Sequence, residues 1–243
     1  MTLDLIKDGY DRKARLYPAL LVVLPIAVAV GAVVSIRGSV VESAAAALAS
    51  CGGAFLLTQL ARDRGKRGES ALFNQWGGMP SITILRHSNQ RIDALTKARY
   101  HKRLSALVKG TRSPSVAMEE ENPRLSDDTY RTWCSYLRSH TRDTKKYALL
   151  FQENVNYGYR RNVWGLRPFG LTTSALSLVI CSGRAYLGYK ASGHVQGELV
   201  GSAVIDLLLL MFWGVVVSPK WIQIPANAYA ERLVETVEHL SAK

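Results

Sequence analysis

Four apolar runs are set in pairs at the two ends of this 243-residue chain, with about a hundred polar and basic residues between them. They are Tyr17 to Ile36, Val40 to Leu60, Phe169 to Tyr189 and Leu199 to Val217. A helix needs about 20 apolar residues to cross a hydrocarbon core of ~30 Å, and each run approaches that length. Inside lipid every main-chain N–H and C=O must be paired within its own segment, so each run is expected to be helical. The alternative, four buried helices of a soluble core, would leave so short a chain little surface for water. The expected fold is an all-α membrane protein: four transmembrane helices, as two hairpins, flanking a mainly helical cytosolic domain. The segments divide as residues 1–61 (first hairpin), 62–167 (basic domain), 168–218 (second hairpin) and 219–243 (C-terminal helix).

The basic residues give the expected orientation. Of 31 Lys and Arg, 21 fall between Arg62 and Arg167, against ten acidic residues in the same stretch. Lys7, Arg12, Lys13 and Arg15 precede the first run, whereas the turns inside each hairpin, near 37–39 and Lys190, carry few charges. The positive-inside rule then puts both termini and the central domain in the cytosol. The net charge of +12 belongs mostly to that domain. Such a field attracts anionic lipid, nucleotide or nucleic acid without choosing among them. Arg62, Arg64, Lys66 and Arg67 directly follow the second run and read first as a topology anchor. The N-terminal stretch, with three Asp among its bases, does not read as a cleavable signal peptide. Cys51, Cys134 and Cys181 have no metal-ligand spacing, so neither a disulfide nor a metal site is expected.

The four runs differ in character. The second holds Ser43 to Ala54, nearly all small residues, which allow close backbone approach in lipid and suit a crowded position. The third is small and hydroxylated at Thr172, Thr173, Ser174 and Ser177. The fourth, bulky through Leu207 to Trp213, suits a lipid-facing position. Within it lies Asp206, an intramembrane acid with an insertion cost of ~2.5–3.5 kcal/mol, so it should face protein or water. It reads either as an ion-pathway or proton-pathway residue or as a hydrogen-bonded acid joining helices. Arg184 is a candidate partner, although an Arg near a helix end commonly snorkels to the interface.

In the central domain, Leu72 to Pro80 contains Trp76-Gly77-Gly78, a sharply shaped loop. Ser81 to His87 begins as a β-like alternation or a short helix. Asn89 to Lys109 reads as a basic helix, and Thr111 to Asn122 as a polar loop with an acidic tract. Ser126-Asp127-Asp128 is expected to cap a helix over about Asp127 to Phe151. Phe151 to Gly165 then leads into the third run with an unusual concentration of Asn, Gly, aromatic and Arg residues.

No arrangement of catalytic residues emerges: there is no P-loop, HExxH or GxSxG, and the five His are scattered, so no enzyme and no cofactor is expected. Candidate ligand residues are Trp76, Arg86, His87, Tyr157, Arg160 and Arg161, because Arg forks bind phosphate and aromatic rings stack on bases. The competing reading makes both segments membrane-proximal elbows, mirrored after the second run and before the third.

The segments Phe73-Asn-Gln-Trp76-Gly77-Gly78-Met-Pro80-Ser81, Leu85-Arg86-His87 and Glu153-Asn154-Val-Asn156-Tyr157-Gly158-Tyr-Arg160-Arg161-Asn162 resemble those of bacterial anti-phage membrane proteins, of the HalA-type transmembrane effectors of Hailong systems. The resemblance covers the whole chain in layout and these segments in residues. It implies a homo-oligomeric ion channel, such as a tetramer, in the bacterial inner membrane. It also implies a ligand, a DNA oligomer made by a partner nucleotidyltransferase, that holds the channel inactive until infection depletes it. It carries over no catalytic residue. The expectation is therefore a depolarising channel gated by an anionic (oligo)nucleotide on the cytosolic domain. The alternative is a non-channel anchor whose basic domain recruits a protein or nucleic acid.

Overall fold

The computed structural model describes residues 9–37 and 40–240, with the side chains of 34–37, 40–51 and 54 outside that description. Every regular element among the described residues is helical. A three-residue helix, Gly9–Asp11, and a π turn, Arg12–Leu16, lead into α1 (Tyr17–Arg37). There follow α2 (Val40–Arg67), α3 (Glu69–Gln75), α4 (Pro80–Thr83), α5 (Ala94–Leu107), α6 (Val116–Glu121) and α7 (Pro123–His140). The chain ends with α8 (Ala148–Ser192), α9 (Gly197–Met211), a π turn (Phe212–Val216), α10 (Pro219–Glu235) and a 3-10 turn (Thr236–His239).

Three described stretches, Gly9–Val33, Ala148–Ser192 and Gly197–Val216, are long and apolar enough to cross a membrane. The expected second span is helical as part of α2, but most of its side chains, including Cys51 and the small-residue run from Ser43, lie outside the described residues. Part of the turn expected at 37–39 does too.

The chain forms two compact units, Met1–Glu69 with Gly158–Ile222, and Ser70–Tyr157 with Gln223–Lys243. In the first, α1 packs against α2 and α9. Its core joins Val22, Ala61, Val163, Leu166, Trp213 and Val217, and a second cluster joins Ala32, Cys181 and Leu199. Leu176, Val179, Leu187, Val204, Leu208 and Val215 are exposed aliphatics on α8, α9 and the turn after α9, as lipid-facing surfaces require. One expectation is corrected here. The bulky run Leu207 to Trp213 does not all face outward, because Trp213 is fully buried. Its ring fills the notch at Gly170, where an added Cβ would lie 2.1 Å from the indole.

In the second unit, Leu85, Leu104, Tyr130, Trp133 and Leu137 pack with Ala230, Leu233, Val234 and Val237. The C-terminal helix thus buries one face in this core. Local signals account for several helix starts. Asp93 accepts from Thr96 N at 2.9 Å, Ser115 from Met118 N at 3.2 Å and Asn122 from Leu125 N at 3.1 Å. The last of these moves the start of α7 to Pro123, ahead of the expected Ser126–Asp128 cap. The acidic tract expected as loop is the short helix α6.

The helix expected to reach Phe151 stops at His140. Thr141 Oγ1 donates to Leu137 O, and Asp143 Oδ1 accepts from Lys145 N and Lys146 N at 2.9 and 3.0 Å. Those bonds hold the Asp143 carboxyl below its ordinary range and begin the turn that starts α8. The Phe151 to Gly165 segment is not an elbow. It is continuous helix within α8.

Candidate functional site

The Trp76-Gly77-Gly78 loop has the sharp shape that its glycines suggest, with φ of +76° at Gly77 and +136° at Gly78. Gly78 N donates to Phe73 O at 2.8 Å and closes α3. Trp76 is half-buried, its ring 6.0 Å from that of Phe73.

Arg86 belongs to the same neighbourhood. Its Nε and Nη2 donate to Asp127 Oδ1 and Oδ2 at 2.8 and 2.6 Å, and Nη1 donates to Gly77 O at 3.0 Å. The hydrogen bonds that the guanidinium donates to Asp127 raise its pKa above the ordinary value. His87 is held on two sides: its N–H donates to Glu119 Oε2 at 3.0 Å, and its Nε2 lies 2.9 Å from Pro114 O. Tyr130 OH donates to the same Glu119 oxygen at 2.8 Å.

Behind them His101 is buried, with Nε2 2.8 Å from Leu85 O and Nδ1 3.2 Å from Ser113 Oγ. A carbonyl can only accept, so Nε2 carries the hydrogen and Nδ1 accepts from Ser113. Burial pushes this imidazole down to about 4, so it is neutral near pH 7. Lys97 is 4% exposed and donates to Arg86 O at 2.8 Å, to His87 O at 3.5 Å and to Asn89 O. It gathers the carbonyls of a turn that no helix satisfies, and its pKa is lowered by burial. Arg86 and His87 are thus components of a hydrogen-bonded scaffold in which the guanidinium fork faces a carboxylate.

Tyr157, half-buried on α8, belongs to this second unit, whereas Arg160 and Arg161 belong to the first. Arg160 Nη1 donates to Trp221 O at 2.8 Å, with its guanidinium 4.8 Å from the Trp221 ring centroid. Arg161 pairs with Glu69 at 2.7 Å. Beside them Asn162 is buried and donates through Nδ2 to Ala14 O at 2.7 Å inside the first π turn.

The Asn- and Gly-rich stretch therefore has a packing role. A Cβ on Gly158 would lie 2.7 Å from Tyr10 OH, and one on Gly165 only 2.5 Å from Gly65 N. Gly158, Asn162 and Gly165, spaced four and three apart, share one face of α8. Small residues at this spacing let helices approach to backbone contact. The spacing was visible in the sequence; its partners on α2 and the π turn were not.

Deep in the first unit, Asp206 is fully buried. Its partner is Ser177, whose Oγ lies 2.5 Å from Oδ2, and not Arg184, which is exposed toward the end of α8. Ser177 Oγ also lies 3.1 Å from Pro25 O, so three long apolar helices meet at one hydroxyl. Oδ1 of Asp206 and Oγ of Ser174 are buried without a described partner.

Comparison with protein family models, curated proteins and solved structures finds no match to this chain.

Proposed function

We propose that this protein is a subunit of an oligomeric ion channel in the bacterial inner membrane, with both termini and the basic domain in the cytosol. In this reading it is an effector of anti-phage defence, gated by an anionic (oligo)nucleotide from a partner nucleotidyltransferase. The ligand class comes from the resemblance to Hailong effectors. The observation that supports conduction is Asp206. An ionisable group buried among membrane helices, with one oxygen bonded to Ser177 and the other without a described partner, is the kind of residue that marks an ion or proton pathway. Assembly under closed cyclic symmetry would supply a pathway from several copies of a small subunit.

A second reading, a membrane anchor whose basic unit recruits a partner, is favoured by a different observation. The sequence-selected arginines Arg86, Arg160 and Arg161 already contact Asp127, Trp221 and Glu69. One experiment separates the readings: planar-bilayer recording of the purified full-length protein, with and without short DNA oligomers. Unitary currents that the oligomer suppresses are the expected result. Bilayers that stay silent in both conditions leave the anchor.

A further inference from the structure

In the first unit, the Arg-bearing ends of two apolar stretches, cytosolic in the orientation proposed above, meet in a basic groove. The α2 stretch ends before Arg64 and Arg67, and the α8 stretch begins at Phe169, after Arg167 and Pro168. The Gly65–Gly165 contact brings these ends together, and Trp164 lies over Gly68, where a Cβ would be 2.1 Å from its ring. Between them is a groove of about 500 Å³ whose charged lining residues are Arg64, Arg67 and Arg167, with no carboxylate among them.

Two of the arginines are held in place by the main chain. Arg64 Nε donates to Gly165 O at 3.1 Å, and its guanidinium lies 5.2 Å from the Phe169 ring centroid. Arg167 donates through Nε to Trp213 O and through Nη2 to Gly214 O, both at 3.0 Å. These bonds use one of the five N–H groups of Arg64 and two of those of Arg167, leaving the rest for a ligand. Arg67 is exposed, with no described partner. The nearby acid Glu69 is paired with Arg161 at 2.7 Å.

We infer that this groove binds the phosphate of an anionic phospholipid headgroup. Guanidinium forks match phosphate oxygens in pairs. A Trp beside them suits the headgroup level of a bilayer. Basic pockets between membrane helices on the cytosolic side take such headgroups. The site does not depend on the channel reading and would serve an anchor equally well.

The test uses full-length protein in a non-ionic detergent, mixed with phosphatidylglycerol or phosphatidylcholine, with retained lipid counted by native mass spectrometry. Phosphatidylglycerol should be retained preferentially. Arg67→Gln should weaken that retention about five-fold without changing the unfolding temperature. Lys66→Gln, exposed on the same turn but outside the groove, should change it less than two-fold. Equal retention of the two lipids overturns the site. So does an equal loss in the two variants, which would indicate a diffuse basic belt. Displacement of the lipid by inorganic phosphate at equal concentration would assign the site to free phosphate and overturn the lipid assignment.

Discussion

The Ser177 hydroxyl stands 2.5 Å from Asp206 Oδ2 and 3.1 Å from the Pro25 carbonyl, joining α8, α9 and α1 at one atom. A hydroxyl has one hydrogen and a carbonyl can only accept. Both contacts are satisfied together when the Asp206 carboxyl donates to Ser177 and Ser177 donates to Pro25.

An amide at position 206 can make the same donation. Asp206→Asn should therefore unfold within about 0.5 kcal/mol of the parent in detergent, while Asp206→Leu and Ser177→Ala each lose about 1–2 kcal/mol. The check is the thermal midpoint of the three variants, with their conductance recorded alongside. If Asn is as damaging as Leu, the hydrogen-bonded arrangement is wrong. A parent-like current from Asn would remove charge at Asp206 from the conduction mechanism.

Gly165→Ala should be costly, because its Cβ would meet the Gly65 main chain at 2.5 Å and backbone cannot rotate aside. Overpacking of this kind costs about 1–3 kcal/mol. Gly201 has nothing within 4 Å of its Cβ position, so Gly201→Ala should be neutral or slightly stabilising. Similar unfolding midpoints for the two variants would refute the backbone contact between α2 and α8.

Arg86 and Asp127, with side chains 27% and 23% exposed, form a fork that ties α7 to the glycine loop. Arg86→Lys loses the two-pronged geometry and should cost about 1–2 kcal/mol. A double-mutant cycle with Asp127→Asn should return a coupling of about 1 kcal/mol or more. Additive effects would release Arg86 from its scaffold role. If the basic unit binds an oligonucleotide, the log–log salt slope should be about 0.7 per phosphate neutralised. That slope should persist in Arg86→Lys if exposed bases carry the contacts.

His101 sets a pH dependence. Its native value of about 4 lies below the ordinary 6.5, so between those values the unfolded chain binds a proton that the folded one refuses. Stability is then fully present above pH 6.5, falls as pH drops through that window, and has lost up to about 2–3 kcal/mol near pH 4. Urea unfolding from pH 4 to 7 reads this directly. His101→Gln, which can still donate to Leu85 O and accept from Ser113, should flatten the slope. An unchanged slope would place the titration elsewhere.

Much of the helical layout could be read locally. Apolar stretches such as Tyr17 to Ile36 and Leu199 to Val217 have helix as their one way to satisfy main-chain polar groups in lipid, so length and composition were enough. The glycine pair at 77–78 marked a turn because positive φ is cheap only there. Asn122 and Asp143 are equally local signals, each bonded to main-chain N–H groups two or three residues on, and they set the start of α7 and the turn before α8. Side-chain roles were decided by the tertiary structure. Arg86 reads from the sequence as a candidate phosphate ligand, and only the fold brings Asp127, 41 residues away, against its fork. The Gly- and Asn-rich approach to the third span looked like an elbow until Gly65 and Ala14 came to lie against it. Asp206 could be identified by itself as an expensive acid, but its partner Ser177 lies on another helix, 29 residues away. Periodicity and capping act over one or two turns and are written in neighbouring residues. A hydrogen bond or backbone contact between helices depends on where they cross, and that is set by packing of the whole unit.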